Sequence, residues 1–355
     1  MILSILHFGA VGDGVTDCTE ALRQAAQYDG TVYFPKGTYI LKKQIHTGYN
    51  LRWIGEGSET VIKLVSEING EPKTDDKGRH VFGLKMLFME DGGLFELRNI
   101  VLDANKDSFR KDEYGNGSSE LDHVTCAEVW GAEKIVLDGC CFRNGLIEGV
   151  FIYKTSDITI TKCSFCGNGF RLCDASGLHI CGGFMESPSI RISDCKFFKN
   201  GFNGLLLNGI YGAVVSNISC CDNGYDGVAL WSGASRCTFS NVFTENHRAG
   251  IHFRGDSSGW QRDSKADPDQ ECCYSTRNII NGLITSKNRF GVLWGFSRDI
   301  MIYGWIGTDN YNHCLFYEGA DNDITANIYG AALCPAEDDI CDDCDDTGIF
   351  KANFI

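Results

Sequence analysis

The side chains best suited to chemistry in this sequence are carboxylates and histidines that recur beside aromatic and cationic residues. Glu148, Asp174, Asp226 and Asp256 are the candidate catalytic acids, and Glu318 sits in a similar place further along. Tyr153, His179, Asn208, Trp231, His252, Arg254, Trp260 and Glu318 accompany them as candidate binding residues. Paired carboxylates break glycosidic bonds: one protonates the leaving oxygen while the other attacks the sugar or activates water. A different chemistry, removal of the proton next to a uronate carboxylate, needs a base such as Tyr153 or His252 and a cation such as Arg254 to hold the acid. The same aromatics, amide and guanidinium can also hold a glycan without cutting it. Each acid has a plain structural use as well. Asp226 follows Asn223-Gly224-Tyr225 and can serve a turn, and Asp256 precedes Ser257-Ser258-Gly259 and can cap a loop.

These residues need a scaffold, and an internal repeat supplies one. The frame apolar-x-apolar-x-x-apolar recurs at Phe95/Leu97/Ile100, Ile135/Leu137/Cys140, Ile158/Ile160/Cys163, Ile190/Ile192/Cys195, Cys237/Phe239/Val242 and Ile300/Ile302/Trp305. Looser copies start at Val215, Ile279 and Ile324, and five of the eight gaps between starts are 21–25 residues. After most frames comes a turn at Asn144, Asn168, Asn200, Asn223, Asn246 or Asn288, then a second short strand such as Gly227-Val228-Ala229-Leu230 or Gly250-Ile251-His252-Phe253. A unit this short cannot bury its apolar side alone, but stacked copies can, at a rung spacing of about 4.8 Å. The expected fold is therefore all-β, a single-stranded right-handed parallel β-helix of about nine to ten coils, with Cys, Ile and Asn in columns. Cys140, Cys163, Cys195 and Cys220 read as small buried hydrophobes in one such column. A leucine-rich repeat would need a helix in every unit, and no unit has room for one.

Side chains alternate faces along a strand, so inward Val228 and Leu230 put Ala229 and Trp231 outside. Carried across coils, this register predicts an outer column Tyr153, Cys181, Asn208, Trp231, Arg254, Gly295, Glu318, beside Phe151, His179, Leu206, Ala229, His252, Leu293, Phe316. Trp231 and Arg254 are then one coil apart, close enough for cation–π packing. The long gaps predict insertions near 103–130, 171–187 and 254–276, the last carrying Asp256 and Trp260 as a lid. Carboxylates one rung apart lie about 5 Å from each other and two rungs apart about 10 Å, the retaining and inverting separations. Asp226 and Asp256 form the first such pair.

Composition limits what the partner can be. With 32 basic and 47 acidic residues the net charge is −15, and no basic stripe offsets it, which argues against nucleic acid. No apolar run approaches the roughly 18 residues of a membrane span. The opening Met1-Ile2-Leu3-Ser4-Ile5-Leu6-His7 lacks a basic stretch and is short for a secretory core, so the chain as written reads as cytoplasmic with free thiols, and as secreted if a leader has been removed. Cys334, Cys341 and Cys344 stand in an acidic terminus over 331–355 that reads as solvated rather than metal-binding. Phosphate-binding loops, dinucleotide motifs and nucleophile elbows are absent, so no cofactor and no metal are expected.

At the amino end, Asp17-x-x-Glu20 reads as a capping box for a helix over 16–28 that would cover the open end of the coil. Phe8-Gly9-Ala10-Val11-Gly12-Asp13-Gly14, then Asp17-x-Thr19-x-Ala21-Leu22-x-x-Ala25, then Val32-Tyr33-Phe34-Pro35-x-Gly37-x-Tyr39 resembles the opening of the pectate-lyase-3-like β-helices. That group includes polygalacturonases, glucanases, tailspike depolymerases and mannuronan C5-epimerases. The resemblance implies one carbohydrate-active β-helix domain over 1–355, with cap and first coils in 1–65 and regular coils in 95–330, and it is compatible with a homotrimer. Asp103 in Val101-Leu102-Asp103-Ala104-Asn105 resembles a family stretch, and also suits a turn. Epimerases of the group carry Tyr-Gly-Phe-Asp-Pro-His where this chain reads Glu148-Gly149-Val150-Phe151-Ile152-Tyr153, so the Asp falls on Phe151 and the His on Tyr153. The expected activity is thus hydrolysis of a poly- or oligosaccharide, with a lyase or a non-catalytic glycan binder as alternatives.

Overall fold

The computed structural model describes residues 1–65, 84–108, 124–155, 157–169, 175–182, 189–255, 275–295, 297–316, 324–335 and 350–354. Short strands dominate, and α1 (Thr19–Ala26) is the α-helix among the described residues. The fold is a right-handed parallel β-helix, as the repeat requires. The chain divides into two compact units, Met1–His179 with Phe198–Phe202, and Ile180–Phe197 with Asn203–Ile355.

In the first unit the inward positions of the frame stack in register: Phe95 on Ile135 on Ile158, and Leu97 on Leu137 on Ile160. In the second, Val215, Phe239, Ile280 and Ile302 form one column and Ile218, Val242, Leu283 and Trp305 another. All of these are buried. Like-on-like stacking keeps each rung apolar inside, which is why a frame with three fixed apolar positions specifies the coil. Cys140, Cys163, Cys195 and Cys220 are buried in this core, and burial pushes the Cys220 thiol well up.

The amide columns differ from the expected positions by one residue in places. Asn144 and Asn246 adopt left-handed backbone, φ 58° and 60°, and lie just outside the column. Gly145 and His247 occupy the rungs. Gly145 N–H donates to Asn168 Oδ1 (2.9 Å), whose Nδ2 donates to the Phe142 carbonyl (3.1 Å). In the second unit His247 takes an Asn place, receiving Asn223 Nδ2 (2.9 Å) and donating its backbone N–H to Asn288 Oδ1 (3.0 Å).

Helix α1 buries Ala21, Leu22, Ala25 and Ala26 and packs on Gly37–Leu41 and Ile45–His46. The capping box does not form. Asp17 Oδ1 accepts the Thr19 N–H (2.9 Å), while Glu20 turns to Arg23 (2.7 Å) and Gln24 (2.8 Å). An exposed glutamate gains more from a cation one turn on than from reaching back.

One strand of each coil belongs to the face that carries the candidate residues. In the first unit these are β1 (Ile45–His46), β2 (Leu84–Glu90), β3 (Val124–Trp130), β4 (Val150–Tyr153) and the start of β5 (Leu178–Cys181), each beside the next. In the second they are β6 (Leu205–Asn208), β7 (Asp226–Trp231), β8 (Ala249–Arg254), β9 (Phe290–Gly295) and β10 (Asn312–Phe316). Strand β3 corrects the first expected insertion: Val124–Trp130 is a full rung, and the stretch between it and residue 108 lies outside the described residues.

Candidate functional site

In the first unit the register places His46, Phe88, Glu128 and Phe151 in one row and Glu90, Trp130 and Tyr153 in the next. Val150 and Ile152 point inward, so Phe151 and Tyr153 face out, half-buried. The aromatic rings line up: Phe88 to Trp130 and Trp130 to Tyr153 are both 5.9 Å between centroids, and Phe151 meets His179 edge-on at 4.8 Å.

Two glutamates sit within this wall. Glu128 is 7% exposed and its Oε1 lies 3.3 Å from Lys85 Nζ, whose ammonium also sits over the Phe88 ring at 4.5 Å. Glu148, in the turn before β4, pairs through Oε1 with His179 Nδ1 at 2.8 Å. Burial pushes the Glu128 carboxyl up from its ordinary value, Lys85 opposes the shift, and the nearby Glu148 charge adds to it. One carboxyl is therefore biased to keep its proton beside another bonded to an imidazole. That is the division of labour an acid-assisted displacement needs. Glu148, Tyr153 and His179 were legible in the sequence, whereas Glu128 and Lys85 were not. The signal for Glu128 was the alternation of Val124-Thr125-Cys126-Ala127-Glu128-Val129-Trp130, which puts Glu128 and Trp130 on one face.

In the second unit Asn208, Trp231, Arg254 and Gly295 pair across successive strands, and Leu206, Ala229, His252 and Leu293 form the adjoining row, both as expected. The next rung slips by one: Leu293 pairs with Leu315, not Phe316. Arg254 is exposed and its guanidinium lies 4.9 Å above the Trp231 ring. Beneath them the structure departs from the expected groove. Asp226 is fully buried, with Arg248 Nε donating to Oδ1 (3.0 Å), Arg248 Nη2 to Oδ2 (2.9 Å) and His252 Nδ1 to Oδ2 (2.7 Å). Burial alone would raise its carboxyl. The His252 hydrogen bond and charge, with Arg248, outweigh that and hold it below the usual range. Burial pushes the His252 imidazole down, with Asp226 opposing and the two arginines assisting. Asp226 thus holds other side chains in place and offers no oxygen to a ligand. Asp103 is likewise buried and bonded to Arg143 (2.9 Å) and Asn144 (2.9 Å). Asp174, Asp256, Trp260 and Glu318 lie outside the described residues, as does most of the acidic terminus.

A family model described as rhamnogalacturonase A/epimerase, pectate lyase-like, matches residues 2–202. The chain belongs to this family. The pre-neck appendage protein of Bacillus phage B103 is 22% identical over 263 residues, 71% of this chain and 27% of that protein. A mannuronan C5-epimerase of Azotobacter vinelandii is 30% identical over 132 residues, 33% of this chain and 22% of the epimerase. The catalytic unit of a thermostable α-1,3-glucanase from Streptomyces thermodiastaticus, 15% identical, superposes with a TM-score of 0.58 over 93% of this chain and 58% of its own, which shows the shared fold. The chain spans less than half of the length of the curated relatives it matches, from 7% to 45%.

This pectate lyase-like chain keeps its glutamate patch inside the matched stretch and its Asp226 cluster beyond it. Among the described residues no group of three or more His, Cys, Asp or Glu is placed to hold a metal ion.

Proposed function

We propose that the chain is a glycoside hydrolase acting on a poly- or oligosaccharide, with Glu128 as proton donor and Glu148 as its carboxylate partner. The observation that carries the reading is the pair itself: a buried glutamate and a histidine-bonded glutamate, close enough to repel, in one aromatic-lined patch. In the reaction Glu128 gives its proton to the bridging oxygen as the carbon–oxygen bond breaks. Glu148 meets the positive charge that develops on the sugar ring or takes a proton from the attacking water. The water supplies hydroxide to the anomeric carbon and its remaining proton restores the acid. Lys85 keeps Glu128 from rising so far that it could not release its proton, and Trp130, Tyr153 and Phe151 offer apolar planes to sugar C–H faces. Membership in a family of carbohydrate-processing enzymes supports the substrate class.

The test is release of reducing ends from rhamnogalacturonan, mannuronan and α-1,3-glucan, the polymers that the family and its relatives name. New reducing ends that disappear in Glu128→Gln and Glu148→Gln support the reading. Cleavage that yields an unsaturated, ultraviolet-absorbing product identifies a lyase. Binding without cleavage makes the chain a glycan-binding β-helix.

A further inference from the structure

Two strands of the first unit carry a thiol pair that hydrolysis at Glu128 does not use. Cys141–Arg143 and Ser164–Cys166 lie side by side, in the larger sheet rather than the one that bears Glu128. Phe142 and Phe165, both fully buried, stack with ring centroids 5.3 Å apart and planes 16° from parallel. Alternation along each strand therefore turns Cys141, Arg143, Ser164 and Cys166 outward. Cys140 and Cys163, just before these strands, go to the core, whereas Cys141 and Cys166 are half-buried and keep part of their surface in solvent.

The Cys141 and Cys166 sulfurs lie 3.9 Å apart, one thiol donating to the other. The register sets Cys141 beside Ser164 and Arg143 beside Cys166, so the two cysteines are diagonal neighbours. One rung of spacing and two residues of rise put diagonal Cα atoms about 8 Å apart. A disulfide spans about 4.4–6.8 Å between Cα atoms and brings its sulfurs to about 2.05 Å. The stacked phenylalanines hold the two coils in register and oppose the slide a direct bond would need. An atom placed between the sulfurs meets no such obstacle. With metal–thiolate bonds of about 2.3 Å, sulfurs 3.9 Å apart subtend about 115° at a bridging ion, an unstrained bent geometry.

Thiolates are soft ligands that select Cu(I) and Zn(II) over hard cations. Structural Zn(II) takes four ligands, and among the described residues no third His, Cys, Asp or Glu joins this pair. Asp103, on the preceding coil, is committed to Arg143 and Asn144. A monovalent ion asks for fewer donors. Arg143, beside Cys166, is a cation next to the anionic complex that such an ion makes with two thiolates.

We propose that Cys141 and Cys166 form a two-thiolate site for a soft monovalent d10 cation, Cu(I) in kind, which clips two consecutive coils together. Binding forms two metal–sulfur bonds and releases the two thiol protons to solvent, with no change of oxidation state. The cysteines stand 25 residues apart in sequence, and the coil repeat brings them together. The site shares no residue with the proposed hydrolysis and does not rest on it.

The test is alkylation of the reduced full chain under nitrogen, with and without Cu(I) added as its acetonitrile complex, read residue by residue by peptide mass spectrometry. Mapping by residue separates this pair from the other cysteines. Cys141 and Cys166 are expected to slow together, by about tenfold once free Cu(I) exceeds the dissociation constant tenfold. The half-buried Cys221 should react at an unchanged rate, and Zn(II) at the same concentration should protect neither member of the pair. In Cys166→Ser the protection of Cys141 should be lost while the circular dichroism stays that of the parent. Should that variant fail to fold, the parent gives the answer alone, because one shared ion imposes one Cu(I) dependence on both residues. The proposal is overturned if neither cysteine is protected, if only one is, if the two follow different Cu(I) dependences, if Cys141 stays protected in Cys166→Ser, if Cys221 is protected as well, if Zn(II) protects equally, or if air oxidation joins Cys141 directly to Cys166.

Discussion

The glutamate patch of the first unit and the aspartate cluster of the second are built from the same parts, a carboxylate bonded to a histidine on the outer strand of a coil. They differ in where the cation is spent. In the second unit Arg248 closes on Asp226 from the following turn and neutralises it, leaving a fully buried, low-lying carboxylate whose work is to hold His252. In the first, His179 bonds Glu148 while Lys85 sits beside Glu128, and Glu128 remains a raised, protonatable acid. A paired buried charge serves architecture, and an under-compensated one keeps a proton to give.

Substitutions that treat the two carboxylates alike should therefore give unlike results. Glu128→Gln is expected to lower kcat for glycan cleavage by about 10²–10⁴-fold, the usual worth of a general acid, with little change in KM. Asp226→Asn should act on stability instead. Removing one partner of a buried pair strands Arg248, and a loss of about 3–5 kcal/mol is expected in urea unfolding. Equal effects of both changes on both readouts would erase the distinction.

Acid titration sharpens it further. Asp226 has a lowered folded-state value, so the stability it contributes is present above its ordinary value of 3.8 and is lost as pH falls through the folded value. Glu128 has a raised one, so its cost to the fold appears as pH climbs from 4.5 toward the folded value and persists above it. At neutral pH Glu128→Gln should stabilise the protein while Asp226→Asn destabilises it. His247 is pushed down to about 4 by burial. The unfolded chain takes that proton near 6.5, so stability should fall between about 6.5 and 4. His247→Asn, matching Asn223 and Asn288 on the neighbouring rungs, should flatten that limb of the denaturation profile.

The smallest expected effect is that of Lys85→Met. Loss of the ammonium removes the influence that holds Glu128 down, so the alkaline limb of the pH–rate profile should move to higher pH with the maximum rate little changed.

The fold was legible because the frame at Ile135, Ile158 and Ile190 fixes three inward positions per coil, and inward positions are what rungs share. The outer row Asn208, Trp231, Arg254 followed from the same register. Glu128 was hidden because the gap between the frames at Phe95 and Ile135 looked like an insertion, although the strand β3 runs through its end. The burial of Asp226 could not be read from its neighbours, since the arginine that claims it is 22 residues away, in the turn before the next strand. Asn246 misled by one place because its left-handed backbone hands the column to His247. The slip at Leu315 arises in the last rungs, where the frame itself loosens to Ile324 and Tyr329.

The most direct test of the central claim is the mass of the products formed by the parent protein and by Glu128→Gln from rhamnogalacturonan, mannuronan and α-1,3-glucan. The account predicts fragments of one of these polymers that each carry the mass of one added water per bond broken, and none from Glu128→Gln. Fragments lacking that water, or undiminished cleavage by the variant, would contradict it.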